Sequence, residues 1–201
     1  MTIQQYLDNH PFAKIQLGCG GNFLDGWLDT DTTLYSPKAI YMDLTQPFPI
    51  GDSTFDRVYS EHVIEHIPYW SGMSMLQESF RILKPGGRIR ISCPDFQFLI
   101  DLYLNPTDLS KQYMEDTKPT WAPYVNPIFT INNFVRDWGH QFIYDESALT
   151  VSLLAAGFVN VTKHMVRESN DEYFQNLEAD WRMTPGYLQL ETMTLEAEKP
   201  L

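Results

Sequence analysis

The sequence predicts an α/β fold of the Rossmann-like type, in which helices cover a mostly parallel seven-stranded sheet. Three observations lead to this prediction. Short segments with the composition of strands alternate with helical patterns along the chain. The first strand-like segment runs directly into the glycine-rich turn "GCGGN". Two strand-like segments near the end of the sequence alternate by two, which predicts an antiparallel edge strand on the sheet.

The predicted strands are short, and turn residues or prolines bound them. The fourth is expected to be buried, because Phe55, Val58 and Tyr59 give it an apolar surface. In chain order the strands are "KIQL" (14–17), "GWLDTD" (26–31), "AIYMDL" (39–44), "FDRVYS" (55–60), "RIRISCP" (88–94), "VNVTKHMV" (159–166) and "YLQLETMTLEA" (187–197).

Two helices are predicted between these strands. Apolar residues recur at helical spacing from Met73 to Leu83, and "KPGG" at 84–87 then ends the helix with proline and glycine. The second helix, in "DESALTVSLLAAGF" at 145–158, begins with capping residues and ends at Gly157. Helices of this kind would cover the sheet.

Residues 105–139 do not fit the alternation of strands and helices. They combine several prolines with aromatic residues, so they are too apolar for a disordered linker and too long for an ordinary connection. We predict an inserted aromatic-rich helical or loop subdomain, a lid or substrate insertion, within one domain that spans 1–201. The aromatic residues either line a pocket or form the core of the insertion; they are Trp121, Tyr124, Phe129, Phe134 and Trp138.

The composition argues against nucleic-acid and membrane partners. The formal net charge is -12 and the pI is near 4.7, so the protein repels phosphate backbones unless a basic stripe overcomes this field. No apolar run approaches the roughly 18 residues that a membrane helix needs. Only Cys19 and Cys93 occur, and "MTIQQYLDNHPFAK" has no apolar signal region. We expect a reduced, cytoplasmic protein, whose oligomeric state the sequence does not indicate.

Chemically informative residues lie where the predicted strands end. "LGCGG" ends the first strand, Asp31 the second, Asp43 the third, and Ser60 with Glu61 the fourth. Ligands bind to open parallel sheets at this edge. Glycines allow backbone N–H groups to approach a ligand closely, and a carboxylate can accept both hydroxyl groups of a ribose. The pattern therefore indicates a cofactor that contains a nucleoside.

The order of several stretches resembles the class I S-adenosylmethionine (SAM)-dependent methyltransferases. The resemblance covers most of 14–104 and 139–199, and it is closest to the broad group that includes the quinone-biosynthesis methyltransferases. The stretches are "LGCGG", "YMDLTQPFPIGDSTFDRVYSEHVIEHI", "LKPGGRIRISCPD", "GHQFIYDESALTVSLLAAGF" and "LEAEK".

The resemblance implies roles for individual residues. The glycine loop would contact the methionine and ribose parts of SAM, Asp31 would bind the ribose hydroxyls, and Asp43 would bind the adenine amino group. Leu44 would pack near the base, and Ser60 and Glu61 would lie beside the methionine part. The implied cofactor-binding residues are Leu17, Gly18, Cys19, Gly20, Asp31, Asp43, Leu44, Ser60, Glu61 and His62.

The sequence departs from the family pattern in three places. Gln16 stands where an acid often precedes the glycine loop, and Asn22 replaces the third glycine. Only 11 residues separate Asp31 from Gly20, whereas about 20 are typical of a dinucleotide fold. The first helix is therefore expected to be very short or absent. This shortening leaves Asp29 as an alternative ribose ligand, although Asp31 is favoured because it ends the strand.

The stretch "SEHVIEHIP" contains the pattern H-x-x-E-H, which inverted zinc peptidases use to hold a metal. A catalytic zinc needs three protein ligands, and the motif supplies only His62 and His66. The segment is also too short before Pro68 for the long helix of such a peptidase. We therefore predict no metal site. In the methyltransferase family, a hydrophobic residue followed by x-x-E-H is a common feature after the fourth strand.

The chain is thus predicted to be an enzyme that transfers a methyl group from SAM to a small-molecule or sugar-type acceptor. A base is needed only if the acceptor must lose a proton, and His140 and His66 are the candidates. Alternatively, either histidine has a purely structural role. A second hypothesis is a SAM-binding sensor or partner subunit without transferase activity. A nicotinamide-dependent oxidoreductase is disfavoured because "GCGGNF" lacks the final glycine of G-x-G-x-x-G.

Overall fold

The computed structural model of the chain describes residues 2–34 and 36–201. Seven strands form one sheet. They are β1 (Lys14–Leu17), β2 (Leu28–Asp31), β3 (Ile40–Tyr41), β4 (Phe55–Glu61), β5 (Leu83–Pro94), β6 (Val159–His164) and β7 (Thr192–Glu198). Seven α-helices flank or cap the sheet within the described residues. They are α1 (Ile3–Asn9), α2 (Tyr69–Ile82), α3 (Phe96–Leu104), α4 (Asp108–Asp116), α5 (Pro127–Arg136), α6 (Glu146–Ala155) and α7 (Tyr187–Glu191).

The sheet has the strand order β3-β2-β1-β4-β5-β7-β6. The first five strands in this order pair in parallel, whereas β7 runs antiparallel to both β5 and β6. The predicted fold class is therefore confirmed, with the antiparallel strand lying one position in from the edge. Because the strands pair in parallel, the carboxyl ends of β1, β2, β4 and β5 meet at one edge of the sheet.

The central strands are buried on both faces. Ile15 and Leu17 of β1 and Val58 and Tyr59 of β4 have no exposed surface. Apolar side chains of α1, α2 and α6 pack in the main core with residues of these strands. Continuous burial of this kind is expected for parallel strands between two layers of helices, because neither face meets water.

The connection from β1 to β2 contains no helix, and the structure describes every residue of it. A tight turn replaces the helix: the Cys19 amide donates to the Thr30 carbonyl at 2.9 Å, and the Asn22 amide donates to the Cys19 carbonyl at 2.9 Å. Gly18 and Gly20 have φ of 70° and 52°, a region that favours glycine. The prediction that the helix after β1 is very short or absent is therefore confirmed.

Two predicted segments differ from the structure. Of the predicted strand 39–44, only Ile40–Tyr41 pairs with β2, because β2 ends at Asp31, the partner of Tyr41. In "YLQLETMTLEA" the first five residues form α7, and the strand begins at Thr192. The helix forms because Gly186 adopts a left-handed conformation and Tyr187 is buried against Tyr113, with ring centroids 5.1 Å apart. A short alternation of apolar residues does not distinguish these cases.

The first predicted helix is longer than expected and ends one residue earlier. It begins at Tyr69, and Pro68 occupies the cap position. The "KPGG" stretch lies inside β5 rather than in a separate turn, since Leu83 pairs with Phe55 and Arg88 with Arg57. The extra residues between these pairs form a bulge in the strand. The second predicted helix is confirmed as α6, with Asp145 as its N-cap.

The segment 105–139, which the sequence predicts to be an insertion, contains α4 and α5. These helices pack with α3 and α7 around a second apolar cluster, which includes Phe98, Tyr113 and Phe134. Among the predicted aromatic residues, Phe134 thus belongs to a core, whereas Trp121, Tyr124 and Trp138 are exposed. The second cluster lies beside Pro94, where β5 ends. No helix among the described residues has the length and apolarity that crossing a bilayer requires.

A buried ion-pair network holds residues 165–186, which we call the strap, against the sheet. Arg90 of β5 is fully buried and donates to Glu178 of the strap at 2.7 Å and to Glu196 of β7 at 2.6 Å. Ser92 also donates to Glu178, at 2.7 Å. Charged groups without water are stable only when they are paired and hydrogen-bonded, so this network determines where the strap lies.

We predict that Arg90→Met lowers the free energy of unfolding by about 3–5 kcal/mol, because it leaves the buried carboxylate of Glu178 without its cation and removes one of the two arginines that pair with Glu196. Urea denaturation followed by circular dichroism measures this change. Lys111→Met is the control, since Lys111 pairs with Asp108 at 3.1 Å on an exposed surface. The control should change stability by less than ~0.5 kcal/mol. Equal effects of the two substitutions would contradict this account of the network.

Candidate functional site

A cavity of about 410 Å³ opens at the carboxyl edge of the sheet, beyond β1, β2, β3 and β4. We call it the cofactor cavity. Eight of the ten residues predicted to bind the cofactor line it, and two lie behind its wall. Leu17 and Ser60 are the two that do not line the cavity, because both are buried within the sheet. The eight that line it are Gly18, Cys19, Gly20, Asp31, Asp43, Leu44, Glu61 and His62.

The glycine loop is held against the turn that follows β4. A Cβ atom at Gly18 would lie 2.4 Å from Cγ2 of Val63, so no side chain fits there without movement. The positive φ of Gly18 adds a second reason for glycine. The loop backbone therefore forms part of the cavity wall, where a ligand can approach it closely.

The structure places Asp31 rather than Asp29 at the cofactor cavity. The two carboxylate oxygens of Asp31 accept hydrogen bonds from the backbone amides of Gly20 and Thr33, both at 2.8 Å. Asp29 is buried, accepts from the Leu24 amide at 3.3 Å and faces a different cavity. Burial raises the pKa of Asp29 to about 6. Asp31 therefore joins β2 to the glycine loop and still borders the cavity.

The base of the cofactor cavity contains buried polar atoms. Oε1 of Gln16, which lines the cavity, has no hydrogen-bond partner among the described residues, and the same is true of Oγ of Ser60 beneath it. Buried polar atoms without partners cost free energy unless a ligand or water meets them. At the open side, hydrogen bonds from Thr45 lower the pKa of Asp43. The cavity therefore fits a ligand with several polar groups.

Sequence reasoning missed Arg182, a strap residue that lines the cofactor cavity. Its guanidinium donates to Oε1 of Glu61 at 2.6 Å, and the Ala179 amide donates to the same oxygen at 3.0 Å. Burial raises the pKa of Glu61, and the neighbouring Arg182 opposes this shift. Among the described residues that line the cavity, only Arg182 carries a permanent positive charge. The strap has no periodic pattern or motif that marks this residue.

A second cavity of about 310 Å³ adjoins the first. We call it the acceptor cavity. His62, His66 and Arg182 line both cavities, so the two share a wall. The insertion supplies Tyr113 and Phe134 to the far side of the acceptor cavity. Six of its eleven lining residues carry an aromatic ring or an imidazole, and the lining also contains the charged group of Arg182 and the carboxyl group of Glu191. Burial raises the pKa of that carboxyl group to about 7.

The H-x-x-E-H motif lies on a turn rather than on an α-helix. A single 3-10 turn spans Ile64–His66, and His62 precedes it with φ of 51°. Glu65 is fully buried, and neither of its carboxylate oxygens has a hydrogen-bond partner among the described residues. Burial raises the pKa of Glu65 to about 8 and lowers the pKa of His62 to about 3. The motif thus surrounds a buried carboxyl group with imidazoles.

His140 lies beside this turn, in the connection between α5 and α6. Its Nδ1 lies 2.6 Å from the carbonyl oxygen of Phe134, and a carbonyl can only accept, so Nδ1 carries a proton. The ring packs against His66, with centroids 4.9 Å apart. Burial lowers the pKa of both histidines, which favours the neutral imidazole. Nε2 of His140 is therefore free to accept a proton or to bind a cation.

Comparison with known proteins connects this geometry to a family. Residues 22–91 match the sequence model of a family described as "Methyltransferase domain". The match runs from the glycine turn into β5 and includes most of the cofactor cavity.

Solved structures of SAM-dependent methyltransferases share the fold. One from Archaeoglobus fulgidus has a TM-score of 0.57 at 15% identity, over 98% of this chain and 92% of that chain. One from Thermotoga maritima, described as a possible histamine N-methyltransferase, has a TM-score of 0.58 at 15% identity, over 97% and 89%. Phosphoethanolamine N-methyltransferase 2 of Haemonchus contortus, in complex with S-adenosyl-L-methionine, has a TM-score of 0.54 at 13% identity, over 99% and 53%. The chain therefore shares the fold of SAM-dependent methyltransferases, and its segment 22–91 is similar to the methyltransferase family model.

Proposed function

We propose that the chain transfers the methyl group of SAM to a small-molecule or sugar-type acceptor bound in the acceptor cavity. The observation that carries this proposal is that the two cavities adjoin at His62, His66 and Arg182. Methyl transfer requires donor and acceptor to meet in line without intervening water. Both volumes lie at the lower end of the range for small-molecule sites, roughly 300–1,000 Å³.

The residues of the cofactor cavity fit SAM. When bound, SAM supplies an electrophilic methyl group on a sulfonium centre. Asp31 would accept the ribose hydroxyls, and Asp43 with Leu44 would hold the adenine. The free oxygen of Gln16 and the carboxylate of Glu61 suit the ammonium group of the methionine part, and Arg182 suits its carboxylate.

The walls of the acceptor cavity support a small acceptor. Phe134, Trp138 and Tyr113 would exclude water and pack against an organic molecule. All three belong to 105–139, and we propose that this insertion serves as the substrate wall or lid. The net charge of -12 disfavours a nucleic-acid acceptor. We place the activity in the cytoplasm, with support from the two buried free cysteines.

His140 and His66 are the candidate bases for an acceptor that must lose a proton. The Phe134 carbonyl holds the proton of His140 on Nδ1, so Nε2 can take the proton of a hydroxyl or ammonium group as the methyl group arrives. His66 lines both cavities and would help to position the acceptor. An acceptor that is already a carboxylate has no proton to lose, so neither His140 nor His66 would need to act as a base.

Isothermal titration with SAM and S-adenosylhomocysteine tests the cofactor part of the proposal. A screen of sugars, amines, phenols and carboxylic acids, followed by detection of S-adenosylhomocysteine, tests the transfer. We expect saturable binding of both nucleosides and turnover with at least one acceptor class. Binding of a nicotinamide dinucleotide instead of SAM would refute the assignment.

We predict that Asp31→Ala weakens SAM binding by roughly 10- to 100-fold, because hydrogen bonds to a charged group contribute about 1.5–3 kcal/mol. Calorimetry measures the change. Asp25→Ala is a matched control, since Asp25 lies on an exposed turn that borders another cavity. If Asp31→Ala and Asp25→Ala bind SAM equally well, Asp31 does not hold the ribose.

Arg182→Met should weaken SAM binding by about tenfold through loss of a charge-assisted hydrogen bond to the methionine carboxylate. Methylthioadenosine lacks that carboxylate, so its affinity should stay within about twofold. Arg167→Met is the control, because Arg167 pairs with Asp180 of the same strap and does not line either cavity. An equal loss for both ligands would show that Arg182 acts only by holding the strap.

For a hydroxyl or amine acceptor, His140→Gln should lower kcat by about 10²- to 10⁴-fold, the range that general-base catalysis supplies. SAM affinity should remain within about twofold, since His140 does not line the cofactor cavity. Steady-state kinetics and calorimetry separate the two effects. His164→Gln, on the far strand β6, should leave both quantities unchanged. Full turnover in His140→Gln would rule out a catalytic role.

A further inference from the structure

We propose that Glu65, His66 and His140 bind one divalent transition-metal ion at the wall between the two cavities. One possible ligand atom from each of the three residues lies within 4.8 Å of the others. Glu65 and His66 follow β4, whereas His140 lies between α5 and α6. Only the fold brings these residues together. The proposal goes beyond methyl transfer and does not depend on it.

The strongest observation is the carboxyl group of Glu65. It is fully buried, and neither oxygen has a hydrogen-bond partner among the described residues. Nδ1 of His62 lies 3.5 Å and Nε2 of His66 lies 3.8 Å from Oε1 of Glu65, and both distances are too long for ordinary hydrogen bonds. A buried carboxyl group without partners costs free energy. A bound cation would satisfy it.

The hydrogen bond of His140 suits a metal ligand. Its Nδ1–H donates to the carbonyl oxygen of Phe134 at 2.6 Å, which leaves the lone pair of Nε2 for an ion. Metal-binding histidines nearly always donate their second ring nitrogen to a carbonyl, carboxylate or water, because this fixes the tautomer and the ring orientation. The imidazole is thus already oriented in the absence of an ion.

Backbone hydrogen bonds hold the two contributing segments together. The amides of Gln141 and Phe142 both donate to the backbone carbonyl of Glu65, at 2.7 and 3.1 Å. His66 directly follows Glu65, and His140 directly precedes Gln141, so these backbone hydrogen bonds lie next to both histidines of the site. The main chain therefore positions all three side chains independently of any ligand.

The donor set indicates the class of metal. Two imidazoles and one carboxylate suit Zn²⁺ and other first-row divalent ions, whereas Mg²⁺ and Ca²⁺ prefer oxygen ligands alone. Ligands bound tetrahedrally at about 2.0–2.2 Å from zinc lie roughly 3.4 Å apart, so separations of up to 4.8 Å must shorten by up to about 1.4 Å. His66 has freedom for this movement, since 38% of its side chain is exposed. Three protein ligands leave one position open.

This site differs from the one that the motif suggests. The sequence predicts no metal because H-x-x-E-H offers only His62 and His66 as ligands. In the structure, Nε2 of His62 instead lies 2.8 Å from the hydroxyl of Thr192, and the third group is His140. A bound ion would also occupy the lone pair on Nε2 of His140, so this histidine could not act as a base at the same time. A hydroxyl acceptor coordinated by the ion would release its proton to solvent water more readily, so transfer to it would not require a side-chain base.

Cobalt titration of the full chain, after dialysis against a chelator, tests the proposal without cofactor or acceptor. We expect one equivalent of Co²⁺ to give visible d–d absorption that Zn²⁺ abolishes by displacement. Glu65→Gln, His66→Gln and His140→Gln should each weaken binding by at least ~100-fold. His164→Gln and His62→Asn are the controls and should retain binding. Asparagine tolerates the positive φ of His62.

Several results would overturn the proposal. One is the absence of saturable binding to the unaltered chain, a measurement that needs no variant to fold. Another is binding that survives all three substitutions, or that His62→Asn abolishes. Thiolate-to-cobalt charge-transfer bands would assign the ion to Cys19 or Cys93 instead. Circular dichroism verifies that each variant is folded. Turnover that a chelator leaves unchanged, with no cobalt bound, would likewise refute a metal ion at this site.

Discussion

The parallel pairing of β1 with β2 and β4 is the constraint on which the rest of the structure depends. Leu17 at the end of β1 pairs with Thr30 of β2 and with Ser60 of β4. The glycine loop, Asp31 and Glu61 each follow directly after one of these residues. Three segments that are distant in sequence therefore reach the same small volume without any further adjustment. A shift of one residue in either pairing would turn the functional side chains to the opposite face of the sheet.

The sequence was sufficient to predict the sheet, most residues that line the cofactor cavity and the lack of a helix between β1 and β2, because these features depend on local patterns. Strand ends, glycines and short spacings are visible in a single chain, and Asp31 could be favoured over Asp29 from its place at the end of β2. The sequence could not predict that Arg182 lines the cofactor cavity or that His140 lies close to Glu65, because both depend on contacts between segments that are far apart in sequence. The helix α7 was mistaken for a strand because its apolar alternation is too short to define a period.

The strap shows how buried charge contributes to the site. Arg90 and Glu178 secure it to the sheet, and Glu61 accepts from both the Ala179 amide and Arg182. The Asn22 side chain also donates to the Leu177 carbonyl at 3.2 Å, so the strap touches the glycine turn as well. The strap is therefore part of the cofactor cavity, although it lies outside the segment 22–91 that matches the methyltransferase family. The stability of the network and the shape of the cavity are linked.

The contact between Gly18 and Val63 limits how this protein can evolve. Replacement of Val63 by a smaller residue would create space, yet Gly18 would still require glycine because its φ is 70°. The two positions therefore tolerate substitution unequally: Val63 can be replaced by a smaller residue, whereas Gly18 cannot be replaced by a larger one. In a collection of natural or selected variants, position 18 would stay invariant while position 63 drifts among small and medium apolar residues. This difference in variability would make the contact between Gly18 and Val63 detectable from the sequences of variants alone.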